Sequence, residues 1–248
     1  MKYSSIIEAM KQSSRIKLIS NNYDQHAVEY DEMSREAPPW VYFDRPFLKK
    51  NVVSIVDSKT KILEIGSGSG KVLELFKKKV PDKQIMGIDL SKELTAIAKK
   101  SLPSATFKIG DYTNISLPQN YFDVALSVRS IEYLDEVELR KTFHVVYSAL
   151  KKGGRFFILT GHPIRINNGD ISSYLERGPR KVSLPWGMKV DLYHKTIGDI
   201  LNAATAAGFR FEIISEPDVP LLLKKKDPKQ YNKYKSQGAT NLHLVFSK

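Results

Sequence analysis

Short apolar runs alternate with helical patterns through the middle of the chain. Five runs have the length and the bounding turn residues of buried strands: 62–65, 84–89, 105–109, 121–128 and 155–159. Residues 72–76 and 91–100 carry apolar positions at helical spacing, and Ser91 suits an N-cap. Strands that alternate with helices are typical of a parallel sheet covered on both faces. The pattern therefore predicts an α/β fold whose parallel strands lie within residues 51–165.

The two ends of the chain show different patterns. Residues 1–50 predict a largely helical segment without a nucleotide-binding motif, and residues 166–192 have little periodicity but several glycines and prolines. Two final strands are expected at 211–214 and 242–246. We predict a helical lid segment at 1–50 and a single domain at 51–248, within which 166–192 is an inserted substrate lid.

Composition narrows the class of protein. The 248 residues contain no cysteine, which excludes disulfides and a cysteine nucleophile. No run is long and apolar enough to span a membrane and no secretory leader is visible, so we expect a cytoplasmic protein with no membrane partner. The five histidines show no metal-ligand spacing, and no metal is expected.

The net charge of +12 raises the question of nucleic acid binding. Lysines cluster at 77–79, at 99–100 and between 224 and 235. The first two clusters lie at expected helix C-termini, where cations complement the helix dipole. The third cluster contains Tyr231 and Tyr234, which could stack on bases. We favour the alternative that it is a solvated loop between the last two strands.

The stretch 62–71 predicts a strand that breaks into a glycine-rich turn before a helix. Gly66, Gly68 and Gly70 leave backbone N–H groups open to a ligand. The turn lacks the Gly-Lys-Ser/Thr ending of a phosphate-binding loop, so a nucleoside triphosphate is not expected. Its glycines do not follow the Gly-x-Gly-x-x-Gly spacing, and Glu64 lies two residues before the first of them.

Two later strand ends carry acids. Asp89 ends the second strand 19 residues beyond Gly70, where a carboxylate accepts both ribose hydroxyl hydrogens in nucleotide-binding βαβ units. Asp111 follows the third strand, where it can accept the exocyclic amine of adenine, with Tyr112 beside the ring. These positions indicate a ligand that contains ribose and adenine.

The motifs occur together in the order of one enzyme family. Over residues 20–165 the chain resembles class I S-adenosylmethionine-dependent methyltransferases. The resemblance rests on five motifs in order: the Glu-x-Gly-x-Gly-x-Gly turn, the Asp89 strand end, Gly-Asp before a loop, Phe-Asp-x-Ala and Leu-Lys-x-Gly-Gly. A second set, from His162 to Glu216–Pro217, resembles the small-molecule branch with a type 11-like domain. The resemblance implies a Rossmann-like, doubly wound, seven-stranded sheet that is mostly parallel with a final antiparallel strand.

The resemblance also implies S-adenosylmethionine as the cofactor, S-adenosylhomocysteine as the product, and an opening helix near residues 22–31 that lies over the cofactor. Glu64 is expected to hold the methionyl ammonium through water, and Ser127 offers backbone groups at the end of strand four. The implied cofactor site comprises Glu64, Gly66, Ser67, Gly68, Gly70, Asp89, Leu90, Asp111, Tyr112, Ser127, Tyr23 and Tyr30.

The acceptor site is expected beyond the carboxyl ends of the strands. His162 and His194 are candidate bases, with loop positioning as the alternative role for each. Glu132 could pair with an amine substrate, or it could be a capping or solvated acid. Further residues could serve as aromatic walls or as cations for an acidic substrate, or could be simple packing and surface residues: Tyr23, Tyr30, Trp186, Arg165, Arg177 and Arg180.

Three functions are consistent with the sequence. The favoured one is methyl transfer to O or N of a small molecule, by a monomer or homodimer. An RNA methyltransferase is the alternative that the charge suggests, but residues 127–130 read Ser-Val-Arg-Ser instead of the Asp/Asn-Pro-Pro-aromatic motif for amino methylation. Methylation of pyrimidines through a cysteine adduct is excluded. The third possibility is a cofactor-binding protein without catalysis.

Overall fold

Seven strands form the main sheet, in the order β3-β2-β1-β4-β5-β9-β8. The computed structural model describes residues 2–166, 171–184, 187 and 189–248, with side chains from residue 12 onward except at residue 166. Its strands are β1 (Ile62–Ile65), β2 (Ile85–Asp89), β3 (Thr106–Ile109), β4 (Phe122–Val128), β5 (Leu150–Gly161), β6 (Gly178–Ser183), β7 (Lys189–His194), β8 (Arg210–Ser215) and β9 (Asn241–Ser247).

Strands β1 to β5 pair in parallel, whereas β9 pairs antiparallel with both β5 and β8. This arrangement confirms the predicted seven-stranded, mostly parallel sheet with a final antiparallel strand. The strand order reverses at β1, which lies between β2 and β4. Ligands of open parallel sheets bind at such a reversal, beyond the carboxyl ends of the strands. The glycine turn after β1 lies at this point.

The described α-helices connect or cover these strands: α1 (Lys2–Gln25), α2 (Ala27–Glu36), α3 (Arg45–Leu48), α4 (Lys92–Ser101), α5 (Glu136–Ala149), α6 (Pro163–Ile166), α7 (Ile197–Ala206), α8 (Leu221–Lys226) and α9 (Pro228–Ser236). The predicted cap of α4 is confirmed, since the Ser91 side chain accepts a hydrogen bond from the Leu94 N–H at 3.1 Å. None of the helices in the described ranges combines the length and the apolar character that a membrane span needs.

Two apolar layers cover the sheet. One contains Phe143 of α5 and Ile200 of α7, and the other contains Trp40 and Leu48 together with Phe76. The second layer shows that the N-terminal helical segment shares its core with the strands. The predicted boundary at residue 50 therefore lies within a shared core.

Two segments have more structure than the sequence indicated. Within 166–192, β6 and β7 form a separate antiparallel hairpin, whose buried Val190 and Leu192 alternate with more exposed residues. The lysine-rich segment expected to be a loop contains α8 and α9. Asp227 caps α9 by accepting a hydrogen bond from the Gln230 N–H at 2.9 Å, with proline in the first turn. Trp186 lies outside the described residues.

One predicted helix is shorter than expected. After the glycine turn, residues 72–76 form a single 3-10 turn, Leu73–Phe76, although Leu73 and Phe76 are buried as predicted. Pro81 limits its extension, because the residue before a proline is disfavoured in the α-helical conformation. The chain therefore enters β2 after a short connection.

Candidate active site

The glycine turn after β1 is held against the end of β2. The N–H groups of Gly66 and Ser67 donate to the Ile88 carbonyl at 2.8 and 3.0 Å, and the Gly68 N–H donates to Asp89 Oδ2 at 2.7 Å. Gly66, Gly68 and Gly70 have φ values of 67°, 50° and 79°, which disfavour residues with a Cβ. A Cβ on Gly66 would lie 2.3 Å from Ser130 Cβ, so only glycine fits there.

Asp89 accepts backbone hydrogen bonds with both of its oxygens. Oδ2 takes the Gly68 N–H, and Oδ1 takes the Ser91 N–H at 2.9 Å. Burial raises the pKa of Asp89, whereas these N–H groups oppose the rise by stabilising the charged form. Because each carboxylate oxygen has two lone pairs, both oxygens can still accept a ribose hydroxyl.

Glu64 and Lys71 both line the larger cavity beside the turn, and Glu64 is buried whereas Lys71 is partly buried. Burial and the nearby Asp89 raise the pKa of Glu64 well above its ordinary value. Its Oε2 atom is buried and has no hydrogen-bond partner among the described residues. Burial lowers the pKa of Lys71 to about 8, and its Nζ donates to the Ser34 carbonyl at 3.0 Å. The sequence pattern does not single out Lys71, because a lysine after a glycine turn is usually solvated.

Two adjoining cavities open at this turn. The smaller, of about 90 Å³, is lined by Gly68, Asp89, Leu90, Asp111 and Tyr112, among others. The larger, of about 610 Å³, is lined by Glu64, Ser67 and Lys71 and extends to α9 and the β6–β7 hairpin. Residues that line both cavities are Tyr23, Tyr30, Gly66, Val128, Arg129 and Tyr133. The cavities therefore meet beside the first glycine of the turn.

Comparisons with known proteins find similarity to methyltransferases. A family model described as a methyltransferase domain matches residues 62–154. The chain is 30% identical over 141 residues to demethylmenaquinone methyltransferase of Thermotoga maritima, covering 55% of this chain and 58% of that protein. It is 25% identical over 146 residues to malonyl-[acyl-carrier protein] O-methyltransferase of Priestia megaterium, covering 58% and 51%. The chain thus spans little more than half the length of these relatives.

A solved structure provides a longer match. An S-adenosylmethionine-dependent methyltransferase from Mesorhizobium loti superposes with a TM-score of 0.70 at 26% identity, covering 82% of this chain and 96% of that one. The chain has the fold of class I S-adenosylmethionine-dependent methyltransferases, and its residues 62–154 match a methyltransferase domain. The glycine turn and Asp89 lie at the carboxyl ends of its central strands, where open parallel sheets bind their ligands.

In this methyltransferase domain, ten of the predicted cofactor residues line the two cavities and two do not. Gly70 lies in neither lining; a Cβ there would be 3.0 Å from Ala98 Cβ, so this glycine permits close packing of α4. Ser127 is buried, and its hydroxyl is hydrogen-bonded to that of Ser130 at 2.8 Å. Asp111 accepts from the Thr113 N–H at 2.8 Å, which fixes the loop that carries Tyr112.

Residues of α1 and α2 line the smaller cavity, and both helices are hydrogen-bonded to segments beside the glycine turn. Ser20 of α1 donates to the Leu90 carbonyl at 3.0 Å, and Asp24 accepts from the Ser91 hydroxyl at 2.6 Å. Arg35 of α2 forms two hydrogen bonds with the Glu74 carboxylate, each 2.9 Å long. These contacts join both helices to segments that flank the glycine turn, as a lid requires.

Three tyrosines form the wall between the cavities. The hydroxyls of Tyr23 and Tyr133 are 2.6 Å apart, and the Tyr23 ring packs edge-on against Tyr30 with centroids 5.1 Å apart. Burial raises the pKa of all three well above the ordinary tyrosine value. They are therefore neutral near pH 7 and act as hydrogen-bonding and packing groups. The sequence pattern does not single out Tyr133 as a cavity residue, because an aromatic residue after a strand has no distinctive spacing.

The structure brings one of the three predicted catalytic residues to a cavity. Glu132 lines the larger cavity, and its Oε1 accepts hydrogen bonds from the Thr160 hydroxyl at 2.9 Å and from the Gly161 N–H. Its Oε2 accepts no hydrogen bond from the described residues, which leaves that oxygen for a ligand. Arg129 Nη1 lies 3.8 Å from Oε1.

The two histidines lie outside both cavity linings. His162 is 2% exposed; its Nδ1 accepts from the Ile164 N–H at 3.2 Å, so its Nε2 donates to Glu216 at 2.7 Å. His194 Nε2 donates to the Tyr174 carbonyl at 2.8 Å, and burial lowers the pKa of His194. The geometry thus supports the positioning alternative for each of them over the role of base.

Arg129 connects the lining of the larger cavity to the core. It adopts φ of +57°, and its Nε and Nη2 donate to the Asp44 carboxylate at 2.9 and 3.2 Å. His243 Nε2 also donates to Asp44, at 3.0 Å. Burial alone would raise the pKa of Asp44, but Arg129 and His243 hold it below the ordinary value. This network fixes one wall of the larger cavity.

Proposed function

We propose that this protein transfers the methyl group of S-adenosylmethionine to O or N of a small molecule. The observation that carries the proposal is the junction of the two cavities at Gly66. A site of about 90 Å³ beside Asp89 opens there into one of about 610 Å³, which is the size range of small-molecule pockets. A methyl donor and its acceptor need this arrangement, because the two must meet in line with water excluded.

The residues present fit the cofactor. The orphaned Oε2 of Glu64 is a buried acceptor that suits the methionyl ammonium, and Lys71 beside it suits the methionyl carboxylate. Asp89 would hold the ribose hydroxyls, with Asp111 and Tyr112 at the adenine end. When bound, S-adenosylmethionine supplies an electrophilic methyl group on a sulfonium.

The protein's own contribution is placement and exclusion of water. Tyr23 and Tyr133, joined by their hydroxyls, form the wall where donor and acceptor would meet. Glu132 would accept a hydrogen bond, and then the proton, from the acceptor hydroxyl or amine through its uncommitted Oε2. Thr160 holds the other oxygen of this carboxylate and so fixes its direction. The lid contacts of α1 and α2 would keep solvent from the site.

The alternative of an RNA acceptor receives less support. Tyr234, one of the two tyrosines that the sequence suggested for base stacking, is buried and stacks on Phe43 with centroids 5.8 Å apart. Tyr231 lies under Lys224, whose Nζ is 5.7 Å from its ring centroid. By their names, the two relatives described above act on demethylmenaquinone and on a malonyl group held by an acyl-carrier protein, and neither acceptor is a nucleic acid.

Calorimetric titration with S-adenosylhomocysteine tests the cofactor assignment. Asp89→Ala should weaken binding by roughly 10- to 100-fold, because charge-assisted hydrogen bonds to the ribose are lost. Glu93→Gln removes an exposed carboxylate from the neighbouring helix and should leave affinity unchanged. Conversion of S-adenosylmethionine to S-adenosylhomocysteine with a metabolite panel then tests catalysis. Absence of binding by the wild-type protein would refute the proposal, and binding without turnover on any metabolite would favour the non-catalytic alternative.

A further inference from the structure

Acids and cations both line the larger cavity, with Asp44, Glu64 and Glu132 as the acids, and two of its cations have no ion-pair partner among the described residues. Four cations line it: Lys71, Arg129, Arg165 and Lys233. Arg129 forms an ion pair with Asp44, and Lys71 donates a hydrogen bond to the Ser34 carbonyl. Arg165 and Lys233 form no ion pair with any carboxylate in the described part of the chain. Two cations of the cavity therefore lack a protein counter-charge.

Two acids that follow β8 are engaged elsewhere. After β8, Glu216 is bound to His162 at 2.7 Å and Asp218 to Lys235 at 2.9 Å. Neither acid lines the cavity. The charge of Arg165 and Lys233 is therefore left for solvent ions or for a ligand.

The two cations lie on elements that the core holds in place. Arg165 belongs to α6, directly after β5, and its guanidinium lies 5.8 Å from the centroid of the Tyr234 ring. Lys233 precedes Tyr234 on α9. Because Tyr234 is 4% exposed and stacks on Phe43, Arg165 packs against a fixed aromatic residue, and the same residue anchors the backbone beside Lys233, whose side chain is exposed. This arrangement reduces the entropy lost on binding a ligand.

The rest of the wall is apolar. Trp40, Val182, Leu184 and Leu192 line the same cavity. Arg165 and Lys233 do not line the smaller cavity, where Asp89 and Asp111 lie, so they are separate from the adenosine end of the cofactor. A ligand that matches this surface has an apolar body and one acidic group.

We propose that the methyl acceptor is a small organic anion whose carboxylate or phosphate is bound by Arg165 and Lys233. This inference rests on the proposed function, because it names the class of its acceptor. Arginine binds both anions through paired N–H groups, and lysine adds a point charge. The apolar wall would then direct the body of the anion toward Glu132 and Tyr133.

Binding measurements on the complete chain saturated with S-adenosylhomocysteine test the proposal. Cinnamate and phenyl phosphate represent the two anion sources, and cinnamamide is the neutral match of cinnamate. At least one anion should bind roughly tenfold more tightly than the amide, since charge-assisted hydrogen bonds replace neutral ones. Whichever anion binds more tightly identifies the source. Equal affinities of cinnamate, phenyl phosphate and cinnamamide, or failure of both anions to bind, would overturn the proposal.

Variants locate the subsite. Arg165→Met and Lys233→Met should each reduce the preference for the anion, and the double variant should abolish it. Arg165→Lys should retain part of it, because the charge remains. Lys229→Met, on the same helix but outside the cavity lining, should bind as the wild type does. Retention of the full preference by the double variant would also overturn the proposal. The titration of the wild type with S-adenosylhomocysteine is done before the anion measurements. Failure of the wild type to bind S-adenosylhomocysteine would refute the proposed function instead.

Discussion

Gly66→Ala would test whether the glycine turn is determined by packing as well as by backbone conformation. The new Cβ would lie 2.3 Å from Ser130 Cβ and 2.7 Å from Ser130 Oγ. Ser130 cannot move freely, because its hydroxyl donates to the Ile65 carbonyl at 3.1 Å and contacts Ser127 Oγ at 2.8 Å. The substitution therefore combines a left-handed φ of +67° with a steric overlap inside a hydrogen-bonded cluster.

The magnitude follows from these two contributions. The positive φ costs about 1–2 kcal/mol for a residue with a Cβ, and overpacking adds about 1–3 kcal/mol. Gly153→Ala is the matched control, because Gly153 has φ of +77° but nothing within 4 Å of its added Cβ. Urea unfolding should show that Gly66→Ala is less stable than Gly153→Ala by at least about 1 kcal/mol, the lower limit of the overpacking cost.

A second substitution separates the two contributions further. Ser130→Gly removes both atoms that the new Cβ would meet, so the double variant Gly66→Ala with Ser130→Gly should recover the overpacking cost. The coupling free energy from the double-mutant cycle should therefore be stabilising by about 1–3 kcal/mol. If Gly66→Ala and Gly153→Ala are equally stable, or if the cycle shows no coupling, packing against Ser130 does not fix the turn.

Three further outcomes follow from the buried polar groups. The pKa of Lys71 is about 8 in the folded protein and 10.5 in the unfolded chain, so the unfolded chain binds more protons between these pH values. The free energy of unfolding should therefore rise with pH across this window, and Lys71→Met should remove that rise in urea unfolding. Asp44→Asn should cost about 3–5 kcal/mol near pH 7, because Arg129 loses the carboxylate that it contacts at 2.9 Å and keeps, among the described acids, only Glu132, at 3.8 Å. Since the pKa of Asp44 is held low, this difference should shrink as unfolding is measured at falling pH. His162→Gln should lower kcat by less than about tenfold, whereas loss of a true base would cost about 100- to 10,000-fold.

The sheet and the glycine turn with Asp89 can be predicted from the sequence because the patterns that indicate them are local. Alternating strands and helices predict the parallel sheet, and the glycines with Asp89 lie within one βαβ unit. Gly70 shows the limit of this reading. The motif includes it with the cofactor residues, but its close approach to Ala98 serves the packing of α4. Spacing alone does not distinguish a glycine that faces a ligand from one that faces a helix.

Other features depend on contacts between distant segments, or have a local signal that neighbouring residues obscure. The sequence suggested His162 as a base because it follows β5, yet its environment depends on Glu216, which arrives with a later strand. The lysine-rich segment reads as a solvated loop, but Tyr234 is buried against Phe43 and holds α9 in place. The Asp227–Pro228 pair was the available helix-start signal, and the density of lysines obscured it.

The same contrast explains why the methyl donor can be assigned more readily than the acceptor. The donor side is built mainly from residues close together in sequence around β1 and β2. The acceptor side combines the ends of β4 and β5 with α9 and the β6–β7 hairpin. Arg165 and Lys233 are 68 positions apart, so no short motif could pair them. Under the proposed function, substitutions on α9 or in the hairpin would therefore change which acceptor fits, while the glycine turn and Asp89 would still hold the same donor.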